Sequence, residues 1–143
     1  MICYPSANID LDLHVVKKRT DGYHNIETIF YPVPLRDALE IVPASELSFK
    51  QVGIPIQGDP KDNLVIKALN ALKEKYEIPS IEIYLKKAIP FGAGLGGGSS
   101  DAAFMLKILN SFADLRLSEQ KLEEIAASIG ADCPFFIQNR PVI

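Results

Sequence analysis

The sequence lacks the features that would point to a metal, a membrane or a nucleic acid. Its two cysteines, Cys3 and Cys133, are far apart without metal-ligand spacing, which favours free thiols in a reducing compartment. No apolar run is long enough to cross a bilayer, and the start of the chain has no signal-peptide pattern, so we expect a cytoplasmic protein without a membrane partner. The formal net charge of −3 argues against a nucleic-acid partner.

What is present is the composition of an ordinary globular domain. The 143 residues are 48% hydrophobic and 23% charged, which suits one domain with a sizeable core. No internal repeat or low-complexity linker divides the chain. Strand-like segments come first and helices mix with strands later, so the order of elements predicts an α+β fold. The sequence leaves the oligomeric state open.

Alternation of apolar and polar residues predicts the strands. The clearest case is 8–15, which reads as a half-buried strand. We expect its apolar residues to face the core: Ile9, Leu11, Leu13 and Val15. Its polar residues share the other face: Asn8, Asp10, Asp12 and His14. Further strands are expected over 25–33, 38–43, 46–51 and 81–86.

Helical spacing of apolar residues predicts three helices. The first is expected to begin near Asp62, as its N-cap, and to end near Lys75. The second covers about 99–112 and is largely buried. Ser118 is expected to cap the third helix, which ends at Gly130. We expect residues 132–138 to form a loop and a short strand.

The segment 88–103, AIPFGAGLGGGSSDAA, contains five glycines directly before the second predicted helix. Because glycine is costly inside helices and strands, such a cluster indicates a tightly curled backbone or a close approach to another group. Free N–H groups and the helix dipole at the start of a helix favour an anion, most often a phosphate. The alternative is a flexible connector, which rarely lies directly between two ordered segments.

Two common phosphate motifs do not account for this segment. No Gly-Lys-Ser/Thr ends it, so the lysine of a Walker A motif is missing. The GxGxxG spacing of a dinucleotide fold occurs at Gly92, Gly94 and Gly97. However, no acidic residue ends a second strand about 20 residues later, since Asp114 follows a helix. The loop by itself therefore predicts a phosphate without saying which one.

PFGAGLGGGSS at 90–100 resembles the ATP-binding motif of the GHMP kinase superfamily. DGYH at 21–24, DNL at 62–64 and GAD at 130–132 resemble one branch of it, which phosphorylates a cytidyl-diphospho-methylerythritol in non-mevalonate isoprenoid biosynthesis. The resemblance covers essentially the whole chain. It implies a fold like the second domain of ribosomal protein S5, with a mixed or antiparallel sheet covered by helices. It also implies that residues 1–143 are the N-terminal ATP-binding domain of such a kinase, with the C-terminal domain absent.

The resemblance further implies ATP as phosphoryl donor, Mg²⁺ as helper and a hydroxyl of the small-molecule substrate as acceptor. Asp132 is implied to orient or deprotonate that hydroxyl, and Tyr23 and His24 to hold the cytosine. Asn63 and Lys87 are implied to lie near the adenine. The implied phosphate cradle consists of Pro90, Gly92, Ala93, Gly94, Leu95, Gly96, Gly97, Gly98, Ser99 and Ser100.

Each implied role has a structural alternative. Asp132 could cap a turn, and Tyr23 with His24 could form an ordinary turn with a solvated imidazole. Asn63 could simply belong to the first turn of its helix, and Lys87 could be one of many surface lysines.

The opening motif departs from the family pattern Pro-Ala-Lys-Ile/Leu-Asn-Leu. Asn8 stands at the catalytic lysine position, Asp10 stands at an asparagine position of the substrate site, and Asp12 adds a second carboxylate. Losing a cation beside a transferring phosphate costs roughly 10²-fold or more in rate. The family's chain is also about twice as long, and one half of a two-domain cleft cannot enclose its substrates. We therefore expect little or no kinase turnover.

Three other interpretations remain open. The chain could be an isolated or engineered domain without catalysis and with at most weak nucleotide binding. Asp10, Asp12 and His14 could form a new metal site, although a solvated acidic face is favoured and we predict no metal site. RNA binding through the S5-like fold is a more distant alternative, which the negative charge disfavours.

Overall fold

The computed structural model describes residues 1–18, 20–22 and 24–141. Within these ranges a four-stranded sheet, a two-stranded ribbon and a layer of helices form the fold. The strands are β1 (Ile2–Cys3), β2 (Ser6–Lys18), β3 (His24–Arg36), β4 (Ala38–Pro43), β5 (Ser48–Gly53) and β6 (Ile81–Lys87). The helices are α1 (Leu64–Lys73), α2 (Gly97–Phe112), α3 (Glu119–Ile129) and the short α4 (Phe135–Gln138), and a 3-10 turn covers Pro60–Asp62.

The sheet has the order β1-β4-β6-β5 and is mixed. Strand β4 is antiparallel to both β1 and β6, whereas β5 is parallel to β6. The alternation in β6 is as predicted, because Ile83 and Leu85 are fully buried while Tyr84 and Lys86 are exposed. The α+β prediction is therefore confirmed.

The core lies between the inner face of this sheet and the helices. Leu69 of α1 and Leu106 of α2 belong to the same buried cluster as Ile41 of β4 and Ile83 of β6. Each fully buried aliphatic side chain of this size contributes about 1.5–3 kcal/mol. Among the helices described, none is long and apolar enough to span a membrane.

Side-chain caps set the helix starts, and one predicted cap is wrong by a residue. Helix α1 begins after Asn63, whose Oδ1 accepts from the Val65 N–H at 2.9 Å, whereas Asp62 belongs to the preceding 3-10 turn. Ser118 caps the start of α3 as predicted, and Gly130 is the C-cap at which α3 ends. Helix α2 begins at Gly97, two residues before the predicted start.

The predicted inward face of β2 is wrong. Leu11 is 42% exposed and Val15 is 62% exposed, while Asn8 on the polar face is only 4% exposed. The side chain of Leu13 lies outside the described residues. Among the described strands, β2 pairs only with β3, and near its start Asn8 lies against the glycine-rich loop. Alternation shows that a strand has two different faces, but it does not show which face the rest of the chain covers.

The strand predicted within 132–138 is also wrong. Residues 131–134 form turns, and α4 follows them. Phe136 and Ile137 are buried against the core, so the apolar run Phe-Phe-Ile is inward-facing helix rather than strand. A helix of one turn is too short to produce a periodic pattern.

Candidate active site

The glycine-rich loop between β6 and α2 needs its glycines for two physical reasons. Gly92, Gly94 and Gly96 have φ values of 72°, 71° and 65°, in the left-handed region that side chains disfavour. The position of Gly96 is also crowded, since a Cβ there would meet Asn8 Oδ1 and lie 2.8 Å from Cζ of Phe136. A Cβ at Gly97 would lie 2.8 Å from Cγ2 of Ile89. The loop is thus both tightly wound and closely packed, as the sequence predicted.

The glycine-rich loop leads directly into α2, whose N-terminus has no side-chain cap among the described residues. Gly96 occupies the N-cap of α2, and no described side chain caps the helix there. The first turn of α2 holds no acidic residue. Its first N–H groups and the positive end of its dipole therefore favour an anion. Ser100 is fully buried, and its Oγ has no hydrogen-bond partner among the described residues.

A cavity of about 800 Å³ lies beside the loop. It is enclosed by the loop, by the end of β5 and by the segment 55–64, and its volume is in the range of small-molecule sites. Ser100 does not line it. The other predicted nucleotide residues do line it: Asn63, Lys87, Pro90, Gly92, Ala93, Gly94, Leu95, Gly96, Gly97, Gly98 and Ser99.

Lys87 is not the surface lysine of the alternative interpretation. Its side chain is 3% exposed, and its ammonium donates to Asp37 Oδ2 and, at 2.7 Å, to Asp101 Oδ2. Burial raises the pKa of Asp101 to about 8, and Lys87 opposes that rise. The ammonium is therefore already bound by two carboxyl groups of the chain itself. A role near the adenine stays a prediction.

Asn8 lies directly against the loop. Its backbone N–H donates to the Leu95 carbonyl at 3.0 Å, and its side-chain amide donates to Asp10 Oδ1 at 3.3 Å. Partial burial raises the pKa of Asp10, and the charge of Asp132 adds to the rise. Asn8 and Asp10 are therefore in contact, and Asp132 is near enough for its charge to act on Asp10. The roles of all three residues stay predictions.

The turn that carries Asp132 is connected to α2 through Cys133. This thiol is fully buried. Burial raises its pKa, and a hydrogen bond with Ser99 opposes the rise. Phe136, three residues after the turn's Cys133, lies against Gly96, so the turn that carries Asp132 lies near the end of the loop.

Two predicted cytosine contacts cannot be placed. Tyr23 lies outside the described residues, and so does the side chain of His24 at the start of β3. The side chains of Asp12 and His14 also lie outside them, which leaves the alternative metal site untested. Among the side chains that are described, no three His, Cys, Asp or Glu residues converge on a possible metal site.

Sequence reasoning missed Asp37 and Asp101, although a signal for them was present. Lys87 follows Ile81, Ile83 and Leu85 at the inward-facing spacing of β6. A lysine that faces inward needs an acidic partner, because an unpaired buried charge is costly. Asp101 is the acidic residue of a helical segment expected to be buried, so it was the natural partner to look for.

Comparison with known proteins identifies relatives of this site. The family model for the GHMP kinases N terminal domain matches residues 63–140. A 4-diphosphocytidyl-2-C-methyl-D-erythritol kinase of Parabacteroides distasonis is 66% identical over 142 residues, and one of Bacteroides fragilis is 54% identical over 145 residues. Both alignments cover 99% of this chain but only 52% and 53% of the relatives, so the chain spans about half their length.

Solved structures give the same picture. A crystal structure of 4-(cytidine 5'-diphospho)-2C-methyl-D-erythritol kinase matches with a TM-score of 0.78 and 35% identity, over 99% of this chain and 50% of that one. A mevalonate kinase matches with a TM-score of 0.63 over 98% of this chain and 48% of that one, but at 17% identity it supports the fold alone. These neighbours confirm the expected fold, like that of the second domain of ribosomal protein S5.

Proposed function

This chain belongs to the GHMP kinases, and from that premise we propose that it is the ATP-binding half of a kinase that phosphorylates 4-diphosphocytidyl-2-C-methyl-D-erythritol in isoprenoid biosynthesis. The relatives that are 66% and 54% identical carry the name of that kinase. As it stands, the chain binds nucleotide but transfers little or no phosphate. Its residues 1–143 form the N-terminal domain of the complete enzyme, which is expected in the cytoplasm.

The observation that carries the nucleotide part is the uncapped N-terminus of α2 beside the 800 Å³ cavity. Three glycines with left-handed backbone conformation precede that helix. Gly96, Gly97 and Gly98 have no side chains that could fill the space in front of its N-terminus. The N–H groups of the first turn would hold the phosphates of ATP, as at other anion sites on helix N-termini. Mg²⁺ would accompany the phosphates and neutralise their charge.

The acceptor side of the site supports impaired transfer. Asp132 is the proposed base for the acceptor hydroxyl, because it lies in the turn before Phe136, which packs against Gly96, and its charge contributes to the raised pKa of Asp10. Where the family has a lysine, Asn8 has a neutral amide. Asp10 adds a carboxyl group, and the charge of Asp132 contributes to the rise of its pKa. Negative charge at this place opposes the approach of a phosphate. The loss of the lysine alone is expected to cost about 10²-fold in rate.

The outer face of the β2–β3 ribbon supports a two-domain kinase. Leu11 and Ile29 are directly opposite each other, as are Ile9 and Tyr31, and Leu11, Ile29 and Tyr31 are exposed. A contiguous apolar face of this kind is typical of a surface that another domain covers. We propose that the part of the relatives that this chain does not match packs here and completes the substrate cleft.

The test is a phosphate-transfer assay with Mg-ATP and 4-diphosphocytidyl-2-C-methyl-D-erythritol. The chain is compared with the double variant Asn8→Lys, Asp10→Asn, which restores the family residues and removes the carboxylate that would capture the new ammonium. Each protein is assayed alone and with the unmatched part of the Parabacteroides distasonis kinase supplied in trans. Asn70→Lys is the control for the added lysine, because it places an ammonium on the exposed side of α1; the double variant also removes a carboxylate and so raises the net charge by one more.

We expect no measurable turnover from the chain alone. When the other part is supplied, the double variant should transfer phosphate about 10²-fold faster than the unaltered chain does with the same part. Asn70→Lys should behave like the parent chain. Turnover by the unaltered chain alone would contradict its proposed inactivity. If millimolar ATP leaves the melting temperature unchanged, the nucleotide-binding proposal is wrong as well.

A further inference from the structure

We propose that Asp37, Lys87 and Asp101 are positioning residues that hold the glycine-rich loop in the form that receives the phosphates. This inference rests on the proposed nucleotide function. None of the implied site roles includes either aspartate, and the implied role of Lys87 was a place near the adenine. The three side chains form one buried ion-pair cluster beneath the loop, which we call the loop anchor.

Asp37 fixes the first residues of the loop. Its Oδ1 accepts from the backbone N–H groups of Ala88 at 2.6 Å and Ile89 at 2.9 Å, and its Oδ2 accepts from the Lys87 ammonium. The backbone N–H of Asp37 donates to the Pro5 carbonyl at 2.9 Å, which ties this corner to the segment before β2. One carboxylate therefore determines the direction in which the chain leaves β6.

Lys87 extends the anchor to the far end of the loop. Its ammonium donates to Asp101, which belongs to the first part of α2. It also lies so close to Gly97 that a Cβ there would be 3.2 Å from the Lys87 nitrogen. Both ends of the loop, at Ala88 and at Gly97, are consequently held against the same ammonium and its two carboxylates.

The composition of the anchor favours a positioning role over a purely stabilising one. The three side chains are 0% to 3% exposed, so all have lost their hydration. Apolar residues of similar volume often stabilise a fold as well as a buried ion pair does. What apolar residues cannot do is accept two backbone N–H groups and fix their direction. The Asp37 carboxylate does both at the point where the loop begins.

The test compares ATP binding with loop order in the 143-residue chain. Asp37→Asn keeps the volume but presents an amide N–H₂ to the Lys87 ammonium or to the loop N–H groups, so one set of contacts is lost. Lys87→Met is the second variant, and it cuts the connection to α2 while Asp37 keeps its bonds to Ala88 and Ile89. Ile125→Val in α3, a buried residue far along the chain from the loop, is the control for lost stability.

Three measurements are made on each variant: Mg-ATP affinity by calorimetry, amide hydrogen exchange over 88–98, and unfolding in urea. For Asp37→Asn we expect the Kd for Mg-ATP to rise roughly tenfold or more, the effect of losing one charge-assisted hydrogen bond. Exchange over 88–98 should accelerate while exchange in α3 does not. Lys87→Met should show the same pattern to a smaller degree, and Ile125→Val should change neither the Kd nor loop exchange.

Two results would overturn the inference. One is an Asp37→Asn variant with unchanged Kd and unchanged exchange over 88–98. The other is an Ile125→Val control that loses as much affinity as the anchor variants at equal stability. If the parent chain itself does not bind Mg-ATP, the proposed function fails, and exchange over 88–98 then decides the positioning role by itself.

Discussion

Replacing Gly96 by alanine tests how firmly the loop is packed against its surroundings. Gly96 has a φ of 65°, so an alanine at this position costs about 1–2 kcal/mol of stability in the left-handed backbone conformation. Its Cβ would also lie 2.8 Å from Cζ and 3.1 Å from Cε2 of the fully buried Phe136. Asn8 also contacts that Cβ, but the end of its side chain can turn away. Forced contacts in a packed interior add about 1–3 kcal/mol, so we expect Gly96→Ala to lower the free energy of unfolding by about 2–5 kcal/mol.

Gly92→Ala provides the matched control. Gly92 has a φ of 72°, but no described atom lies within 4 Å of the Cβ that alanine would add. This variant should therefore lose only the backbone contribution of about 1–2 kcal/mol. Urea unfolding followed by far-ultraviolet circular dichroism measures both losses. Equal losses in the two variants would refute the close packing of the loop against Phe136.

Two further predictions concern stability. Burial raises the pKa of Asp101 in the folded chain to about 8, well above its unfolded value of about 4. Protonation of Asp101 therefore favours the folded state, and its contribution to stability is complete below about pH 4. That contribution decreases as pH rises and is lost above about pH 8. The parent chain should thus lose stability relative to Asp101→Asn as pH rises from 5 to 8, by at most about 1.4 kcal/mol per pH unit; parallel urea-unfolding curves would contradict this. On the ribbon, Leu11→Lys with Ile29→Glu, a pair of opposite charges at directly facing positions, should change stability by less than about 0.5 kcal/mol. Leu39→Ala in the core should cost about 2–5 kcal/mol. A large loss from the ribbon pair in urea unfolding would show that its outer face is covered.

Strands β4, β5 and β6 of the sheet and the three longer helices could be predicted because each carries its own periodic signal, whereas the two-residue β1 was not predicted. Strand β6 alternates over its whole length, and Ser118 with Gly130 bounds α3 in the sequence itself. The glycine-rich loop was predictable for the same reason, since so many glycines in one place have few other uses. These signals are local, and tertiary packing did not override them.

The errors occur where the answer depends on distant residues. Asn8 is buried because the glycine-rich loop, some 85 residues later, lies against it. The loop anchor joins Asp37, which connects β3 to β4, with Lys87 of β6 and Asp101 of α2, at sequence separations of 14 to 52. No single strand or helix contains both partners of such a contact. The inward spacing of Lys87 was the single local sign that a buried acidic partner existed.

The replacement at position 8 changes more than one charge. In this chain Asn8 donates its backbone N–H to Leu95 and its amide to Asp10, so the buried end of β2 satisfies its own polar groups. A lysine at this position would carry a charge into a site that is 4% exposed, and it would need an anion as a partner. With Asp10 present, a carboxylate of the chain itself would be that partner. With an asparagine at position 10, the proposed function predicts that a phosphate takes that role. We therefore expect that changing Asn8 alone restores little transfer and that Asn8 and Asp10 must be changed together.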